Sequence, residues 1–269
     1  MKPKDFLKEI KRIVKYRDTI KILTISDLKL KYASSTLGFF WSILEPLLLI
    51  AVYSLVFPLI LHAKFYDWVL FFLAGFIPFR FFERGVRSIT KSLVERRNIL
   101  NRVSMPIIII PISVAISDSI SFFFESIVFF SLILLAGIRP TPLLILFPVL
   151  FLVEFFLILG IGFYLCISYI KLRDLDYILN VVLQALMFLT PFVYTLEIIP
   201  TIYRRAYLLN PLARLVLMYQ GIALYTAKTY VEYIPIFLNT MLLLIFSTIV
   251  LIIGFLTFVE RKSKFEGEL

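Results

Sequence analysis

Two carboxylates at the spacing of a metal-binding motif are the first candidates for chemistry in this sequence. Asp174 and Asp176 form an Asp-x-Asp. Carboxylate oxygens suit a hard divalent cation, and some membrane glycosyltransferases hold one in such a motif at the membrane–cytosol boundary. The same spacing is common in polar turns, and Arg173 beside it can pair with either acid. We favour a polar turn between two helices and keep a glycosyl-transfer site as an alternative.

Other catalytic and cofactor signatures are absent from the sequence. No Gly-x-x-x-x-Gly-Lys-Ser/Thr loop occurs, so this chain has no such cradle for the phosphates of ATP. The single histidine and the single cysteine, His62 and Cys166, argue against a histidine-based metal site and an intrachain disulfide. We therefore predict no catalytic, cofactor-binding or metal-binding residue in this chain.

Four carboxylates interrupt long apolar stretches, where a charge is costly and usually faces protein or water. Glu45 is predicted at the cytoplasmic mouth of a channel. Asp118 and Glu125 are seven residues apart and share a helical face, which fits either a pore-facing pair or a structural one. For Glu154 we favour a structural role, bonded to a neighbouring helix.

Aromatic residues are abundant, with 28 Phe and 14 Tyr. Most must face lipid or the core, but a minority could stack on sugar rings, while Tyr hydroxyls bond to sugar hydroxyls. The candidates for lining such a route are Phe39, Phe40, Trp41, Glu45, Phe188, Phe192 and Tyr194.

The elements that must position these residues are membrane-spanning helices. The chain is 61% hydrophobic, with a mean hydropathy of +0.95, and its apolar runs reach the roughly 20 residues that cross a bilayer. These runs do not alternate in polarity, which excludes a barrel. We predict an all-α integral membrane fold with six spans: about Leu37–Leu61, Trp68–Ile89, Ile107–Ala136, Leu143–Ile170, Ile178–Ile198 and Ile234–Phe258.

The basic residues set the orientation. Lys and Arg concentrate in residues 2–31, 80–102, 171–173 and 261–264, so these segments and both termini are predicted to be cytoplasmic. Residues 1–32 have apolar positions at roughly helical spacing between lysines and arginines, which predicts an amphipathic helix in the cytoplasmic interface. The net charge of +10 then reflects contact with anionic lipid rather than nucleic acid. Residues 33–269 are predicted to form one six-span transmembrane domain.

The segment 199–233 is too long for a turn and too apolar for a soluble loop. Pro200 and Asn210-Pro211 punctuate it, and apolar residues return at helical spacing after Pro211. Short helices that re-enter the membrane, buried against protein, and helices lying on the membrane surface both fit this pattern.

Several short motifs follow one another along the chain. They are Tyr32, Leu37, Gly38, Trp41 and Pro46; Ala74 to Phe79; Leu100 to Pro106; Pro111; Arg173-Asp174; Leu189 to Tyr194; and Asn210 to Leu212. In these motifs and their order the chain resembles the type-2 ABC exporter permeases. The similarity is to the polysaccharide branch, which contains the Wzm, KpsM and TagG permeases, and above all to the O-antigen permeases (Wzm).

The resemblance implies a homodimer in the bacterial inner membrane, paired with two copies of a separate ATPase subunit that binds MgATP. It implies export of an undecaprenyl-linked polysaccharide through a channel at the dimer interface. A cytoplasmic coupling helix would fall at about 92–105, and re-entrant periplasmic helices at about 199–227. The implied ATPase-docking residues are Glu95, Arg96, Arg97, Asn98 and Arg102, and the implied periplasmic gate is Asn210, Pro211 and Tyr219.

Three rival functions stay open on the sequence alone. The first is a type-2 ABC permease for a drug or another small lipid. The second is the membrane glycosyltransferase that would use Asp174 and Asp176. The third is a passive scaffold, which would need no ATPase.

Overall fold

The computed structural model describes residues 9, 11–32, 65–138, 142–224 and 236–265, together with residues 41, 44, 48, 51–53 and 55. Within these residues the regular secondary structure is helical. The helices are α1 (Arg17–Tyr32), α2 (Phe65–Glu95), α3 (Arg97–Arg102), α4 (Ile109–Leu135), α5 (Phe147–Tyr169), α6 (Leu175–Phe188), α7 (Thr201–Tyr207), α8 (Pro211–Ala223) and α9 (Ile236–Phe265). Short 3₁₀ turns at Pro142–Leu146 and Leu196–Ile198 precede α5 and α7.

Three stretches of the described chain are long and apolar enough to cross a membrane. They are Ile109–Leu135, Pro142–Tyr169 and Ile236–Lys262, with mean hydropathies of 1.8, 2.8 and 2.8. They correspond to the third, fourth and sixth predicted spans. The predicted first span lies largely outside the described residues, and Phe39, Phe40 and Glu45 lie wholly outside them. The all-helical membrane class is thus confirmed, and the count of six spans stays a prediction.

The second and fifth predicted spans differ from their expected bounds. Helix α2 has 31 residues, about 46 Å at 1.5 Å per residue, and continues past Ile89 to Glu95. Helix α6 has only 14 residues and ends at Phe188 rather than Ile198. The physical reason is Pro191, which has no amide hydrogen and disfavours a helical conformation at Thr190.

Helix α5 lies at the centre of the bundle, packed on α2 and most extensively on α9. Its contact with α9 depends on two glycines. A Cβ built on Gly254 would lie 2.0 Å from the carbonyl oxygen of Gly160, and one on Gly160 would lie 2.6 Å from that of Val250. The two backbones therefore touch, in the manner of small-residue crossings between membrane helices.

The region predicted to re-enter the membrane contains one buried helix and one exposed helix. Helix α8 buries every residue except Pro211 and Arg214 and packs on α2, α5 and α9. Helix α7 has no buried residue. Burial against protein is what a re-entrant helix requires, so that interpretation is favoured for α8, whereas α7 fits a surface helix.

Candidate functional site

Helix α3 is the short exposed helix at the end of the molecule where α2 and α9 end and α4 begins, which we call the charged end. The chain leaves α2 at Arg96, whose φ of −103° and ψ of 19° are not helical. None of the residues of α3 is buried, and the apolar side chains of Ile99 and Val103 are 37% and 48% exposed. Of the segment 92–105 predicted as a coupling helix, residues 92–95 belong to α2 and a separate helix covers only Arg97–Arg102; its coupling role stays a prediction.

The predicted docking residues divide into an outer and an inner set. Glu95, Arg97, Asn98 and Arg102 are exposed. Arg96 points inward, and its guanidinium lies 2.6 Å from the carboxylate of Asp27 on α1. The Asp27 side chain is 10% exposed and that of Arg96 is 18% exposed. Burial raises the pKa of the Asp27 carboxyl above its ordinary value, although Arg96 acts in the opposite direction.

A polar cavity of about 550 Å³ lies beside this pair, between α1, α2, α3 and α4. The positive and negative side chains that line it are nearly equal in number, with four cations and three anions. They are the cations Lys31, Arg87, Lys91 and Arg96 and the anions Asp27, Glu95 and Asp118.

The two carboxylates of α4 that the sequence singled out are both paired with cations. Arg84 of α2 approaches Asp118 at 3.5 Å and Glu125 at 2.7 Å. Lys31 of α1 lies 3.0 Å from Asp118. Both carboxylate side chains are 4% exposed, and the nearby cations offset the cost of burying them. The arrangement supports the structural interpretation of this face over a pore-facing one.

The Asp-x-Asp turn also forms an inter-helix contact. Asp176 lies 2.8 Å from the ammonium group of Lys91 on α2, whereas Asp174 is exposed at the start of α6. Arg87 adds a hydrogen bond to Asn180. No cluster of three or more His, Cys, Asp or Glu side chains that could hold a metal occurs in the part of the chain that the structure describes. The geometry favours the polar-turn interpretation of this motif.

The turn Leu189–Tyr194, at the opposite end of the bundle, is fixed by hydrogen bonds to its backbone. A helix end leaves carbonyl groups without partners, which is costly in an apolar setting. Asn210 donates to the carbonyl of Leu189 at 3.1 Å, Gln220 to that of Pro191 at 3.0 Å, and the Trp68 indole to that of Val193 at 3.2 Å. Side chains from α2 and from the start and middle of α8 thus converge on this turn.

The aromatic residues predicted on the fifth span have different environments. Phe192 is fully buried and packs against Phe72, Phe76 and Phe79 of α2. Phe188 is 67% exposed. The Tyr194 hydroxyl lies 2.5 Å from the carbonyl oxygen of Phe188, to which it donates. Phe192 is therefore a packing residue in this structure, the Phe188 side chain is exposed, and the predicted contact of Phe188 with a substrate stays a prediction.

The remaining predicted site residues lie on or near α8, apart from Trp41. Asn210 caps α8 by accepting a hydrogen bond from the Leu212 amide at 3.0 Å, and Pro211 occupies the first turn. Tyr219 is buried in the middle of α8 beside the fully buried Glu154 of α5. Trp41 is 40% exposed.

Sequence reasoning missed several residues that organise these sites. Asp27 was not singled out. Its position four residues before Lys31, in an otherwise basic amphipathic segment, is a pattern that could have indicated a paired carboxylate. Gln220 is a polar residue within an apolar run, which is a signal of the same kind. Gly75 was noted only as part of a motif, but a Cβ there would lie 2.5 Å from Phe192 and 2.9 Å from Gln220. Only a glycine lets the turn approach α2 this closely.

The long apolar helices and the buried α8 define a helical membrane protein. The chain matches the ABC-2 type transporter family over residues 18–224, and it belongs to that family.

Curated relatives extend the similarity over most of the chain. It is 29% identical over 215 residues to the O-antigen export system permease protein RfbA of Myxococcus xanthus, an alignment that covers 79% of this chain and 83% of the relative. It is 26% identical over 249 residues to the protein of the same name from Klebsiella pneumoniae, covering 92% and 93% of the two chains. A second Klebsiella pneumoniae protein of that name is 25% identical over 256 residues, with the same coverage.

Proposed function

We propose that this chain is the membrane subunit of an ATP-driven exporter that moves a lipid-linked polysaccharide of the O-antigen kind across the bacterial inner membrane. Family membership supports a transport function, and the names of the relatives, O-antigen export system permease proteins, support the substrate class. The observation that carries the proposal is α3, a six-residue helix with no buried residue at the charged end.

An exposed helix with accessible Ile99 and Val103 beside arginines needs a partner surface. The chain has no nucleotide loop, so the partner supplies MgATP binding and hydrolysis. Two copies of this chain and two copies of the ATPase subunit form the complex. The basic charged end faces the cytoplasm in this arrangement, in agreement with the positive-inside rule, and both termini lie there as well.

The channel forms between the two copies. Helix α6 offers an exposed face for it, which includes Tyr177 at 73%, Val181 at 68% and Phe188 at 67% exposure. Phe39, Phe40, Trp41 and Glu45 contribute from the first span at the cytoplasmic mouth. Undecaprenyl-linked glycan passes between these walls, and Asn210, Pro211 and Tyr219 belong to the periplasmic gate.

The docking role of α3 can be tested by charge reversal. Arg97→Glu combined with Arg102→Glu changes only exposed side chains and leaves the Arg96–Asp27 pair intact. We expect the purified chain to fold normally, to lose co-purification with its ATPase subunit, and to lose export of the polysaccharide to the cell surface.

Lys21→Glu combined with Lys29→Glu is the matched control, because both lysines are exposed on α1 and the net charge changes by the same amount. The control should keep ATPase binding and export. If the α3 variant still bound the ATPase and exported at the normal rate, docking at α3 would be wrong.

The rival functions predict different results in the same cells. A permease for a drug or a small lipid would keep ATPase binding but would not place polysaccharide on the surface. A glycosyltransferase would lose activity on Asp176→Ala without any ATPase, and a scaffold would bind no ATPase at all.

A further inference from the structure

A second polar cavity at the charged end has a volume of about 130 Å³. Three separate parts of the chain surround it: the helical residues before α1, the loop that leads from α3 into α4, and the last turns of α9. The lining residues are Arg12, Tyr16, Ser104, Met105, Pro106, Ile107, Ile108 and Lys262.

The cavity carries an excess of positive charge. Lys262 lies 2.6 Å and Arg12 lies 3.4 Å from the same carboxylate oxygen of Glu9. Among the residues that the structure describes, two cations thus share this one carboxylate, which is an excess of one positive charge. In the larger cavity each lining cation has a carboxylate of its own: Lys31 pairs with Asp118, Arg87 with Glu83, Lys91 with Asp176 and Arg96 with Asp27.

The opposite wall of the cavity favours an anion as well. Pro106, Ile107 and Ile108 directly precede the 27-residue helix α4. The start of a long helix carries the positive end of its dipole, although the amides of Ile109 and Ile110 already donate to the carbonyls of Pro106 and Ile107. Ser104 and Tyr16 add hydroxyl groups that can donate hydrogen bonds to an oxyanion.

The position of the cavity selects the source of that anion. Ile109–Leu135 begins and Ile236–Lys262 ends beside it, and both stretches are long and apolar enough to cross the membrane. A cavity at the shared end of two spans lies at the level of the lipid headgroups. Basic pockets between spans on the cytoplasmic side are suited to phosphate-bearing headgroups.

We propose that this cavity binds a phosphate group, and that an anionic phospholipid of the inner leaflet supplies it. Arg12 and Lys262 provide the charge, the hydroxyl groups of Tyr16 and Ser104 provide donors, and the start of α4 adds the positive end of the helix dipole. The bound headgroup joins the N-terminal segment to the ends of α4 and α9. The choice of the inner leaflet rests on the cytoplasmic orientation of the charged end in the proposed function, and the proposal is independent of the exported substrate.

Binding can be measured on the full chain, purified in neutral detergent and stripped of lipid. Native mass spectrometry and the thermal unfolding midpoint are recorded with dioctanoyl phosphatidylglycerol, with dioctanoyl phosphatidylcholine and with inorganic phosphate. We expect phosphatidylglycerol to bind and to raise the midpoint, and the zwitterionic lipid to do neither. Replacing either cation, by Arg12→Gln or Lys262→Gln, should weaken binding about fivefold.

Glu9→Gln should act in the opposite direction, because it removes the carboxylate that competes with the phosphate. Arg12→Lys should retain binding, which separates loss of charge from loss of folding. Lys15→Gln combined with Lys21→Gln is the matched control, since both side chains are exposed and neither lines the cavity.

Equal binding of the two lipids, or unchanged binding in the Arg12 and Lys262 variants, would overturn the proposal. Binding of inorganic phosphate with the same dependence on these residues, without binding of phosphatidylglycerol, would overturn the lipid as the source.

Discussion

The Arg96–Asp27 pair predicts an asymmetry between its two single variants. Asp27→Asn removes a carboxylate whose ionised form burial already disfavours, and it leaves Arg96 beside a large cavity that admits water. We expect the free energy of unfolding to change by less than about 1 kcal/mol. Arg96→Gln instead leaves the Asp27 carboxylate without its cation. A fully buried pair would then lose about 3–5 kcal/mol, and the adjacent water lowers our expectation to about 2 kcal/mol.

The pH dependence of the Arg96→Gln variant gives a second signature. The pKa of Asp27 is raised in the folded chain, and loss of Arg96 raises it further. Between the ordinary pKa of an aspartate and this raised value, the folded state binds a proton that the unfolded state has released. Stability therefore increases as the pH falls through that window. The deficit of Arg96→Gln should shrink on acidification from about pH 8 to about pH 5.

Thermal unfolding of the purified chain, followed by tryptophan fluorescence, measures both effects. The double variant Asp27→Asn with Arg96→Gln serves as the control, because it should lack this pH dependence. Equal destabilisation by Asp27→Asn and Arg96→Gln would refute the reasoning, and so would a deficit of Arg96→Gln that grows on acidification.

Three further predictions concern the packing and polar contacts of the spans. Gly254→Ala should destabilise the bundle by about 1–3 kcal/mol in thermal unfolding, because the new Cβ would lie 2.0 Å from the carbonyl oxygen of Gly160. Gly221→Ala is the control, because its Cβ would lie 3.6 Å from the nearest atom; it should be neutral or stabilising in the same assay. Arg84→Met should leave two carboxylates of α4 without this cation, lowering stability by about 3–5 kcal/mol as measured by denaturant unfolding. Asn210→Ala removes both the cap of α8 and the bond to Leu189, and it should cost about 1–2 kcal/mol without affecting ATPase co-purification.

The charged end was predictable because its signals are local in sequence. Arginines dense enough to mark a cytoplasmic segment precede Pro106, and a proline limits a helix. These features place a short polar helix between two spans without knowledge of the fold. The bounds were less accurate, because Glu95, Arg96 and Arg97 at the break between α2 and α3 all favour helix, and the inward contact of Arg96 with Asp27 is long-range.

The aromatic residues were not predictable to the same degree. Composition places Phe188 and Phe192 in one apolar segment, but their environments depend on Pro191 ending the helix between them. After that break, Phe192 no longer follows the helical face of α6, and it packs against α2 instead. Hydrophobic periodicity does not predict such a turn. The turn packs against Gly75 of α2, which is distant in sequence.

Helix α2 joins the two organised ends of the molecule. At its start, Trp68 donates to the carbonyl of Val193 in the turn after α6. At its end, Glu95 leads directly into Arg96 and the exposed helix α3. Between these points the helix continues for about 46 Å, and Lys91 also anchors it to the start of α6. Helix α2 thus contacts both the start of α6 and the turn that follows it. If an ATPase docks at α3 as proposed, we expect a movement that passes from α3 to α2 to move α6 as well and to reach the Leu189–Tyr194 turn.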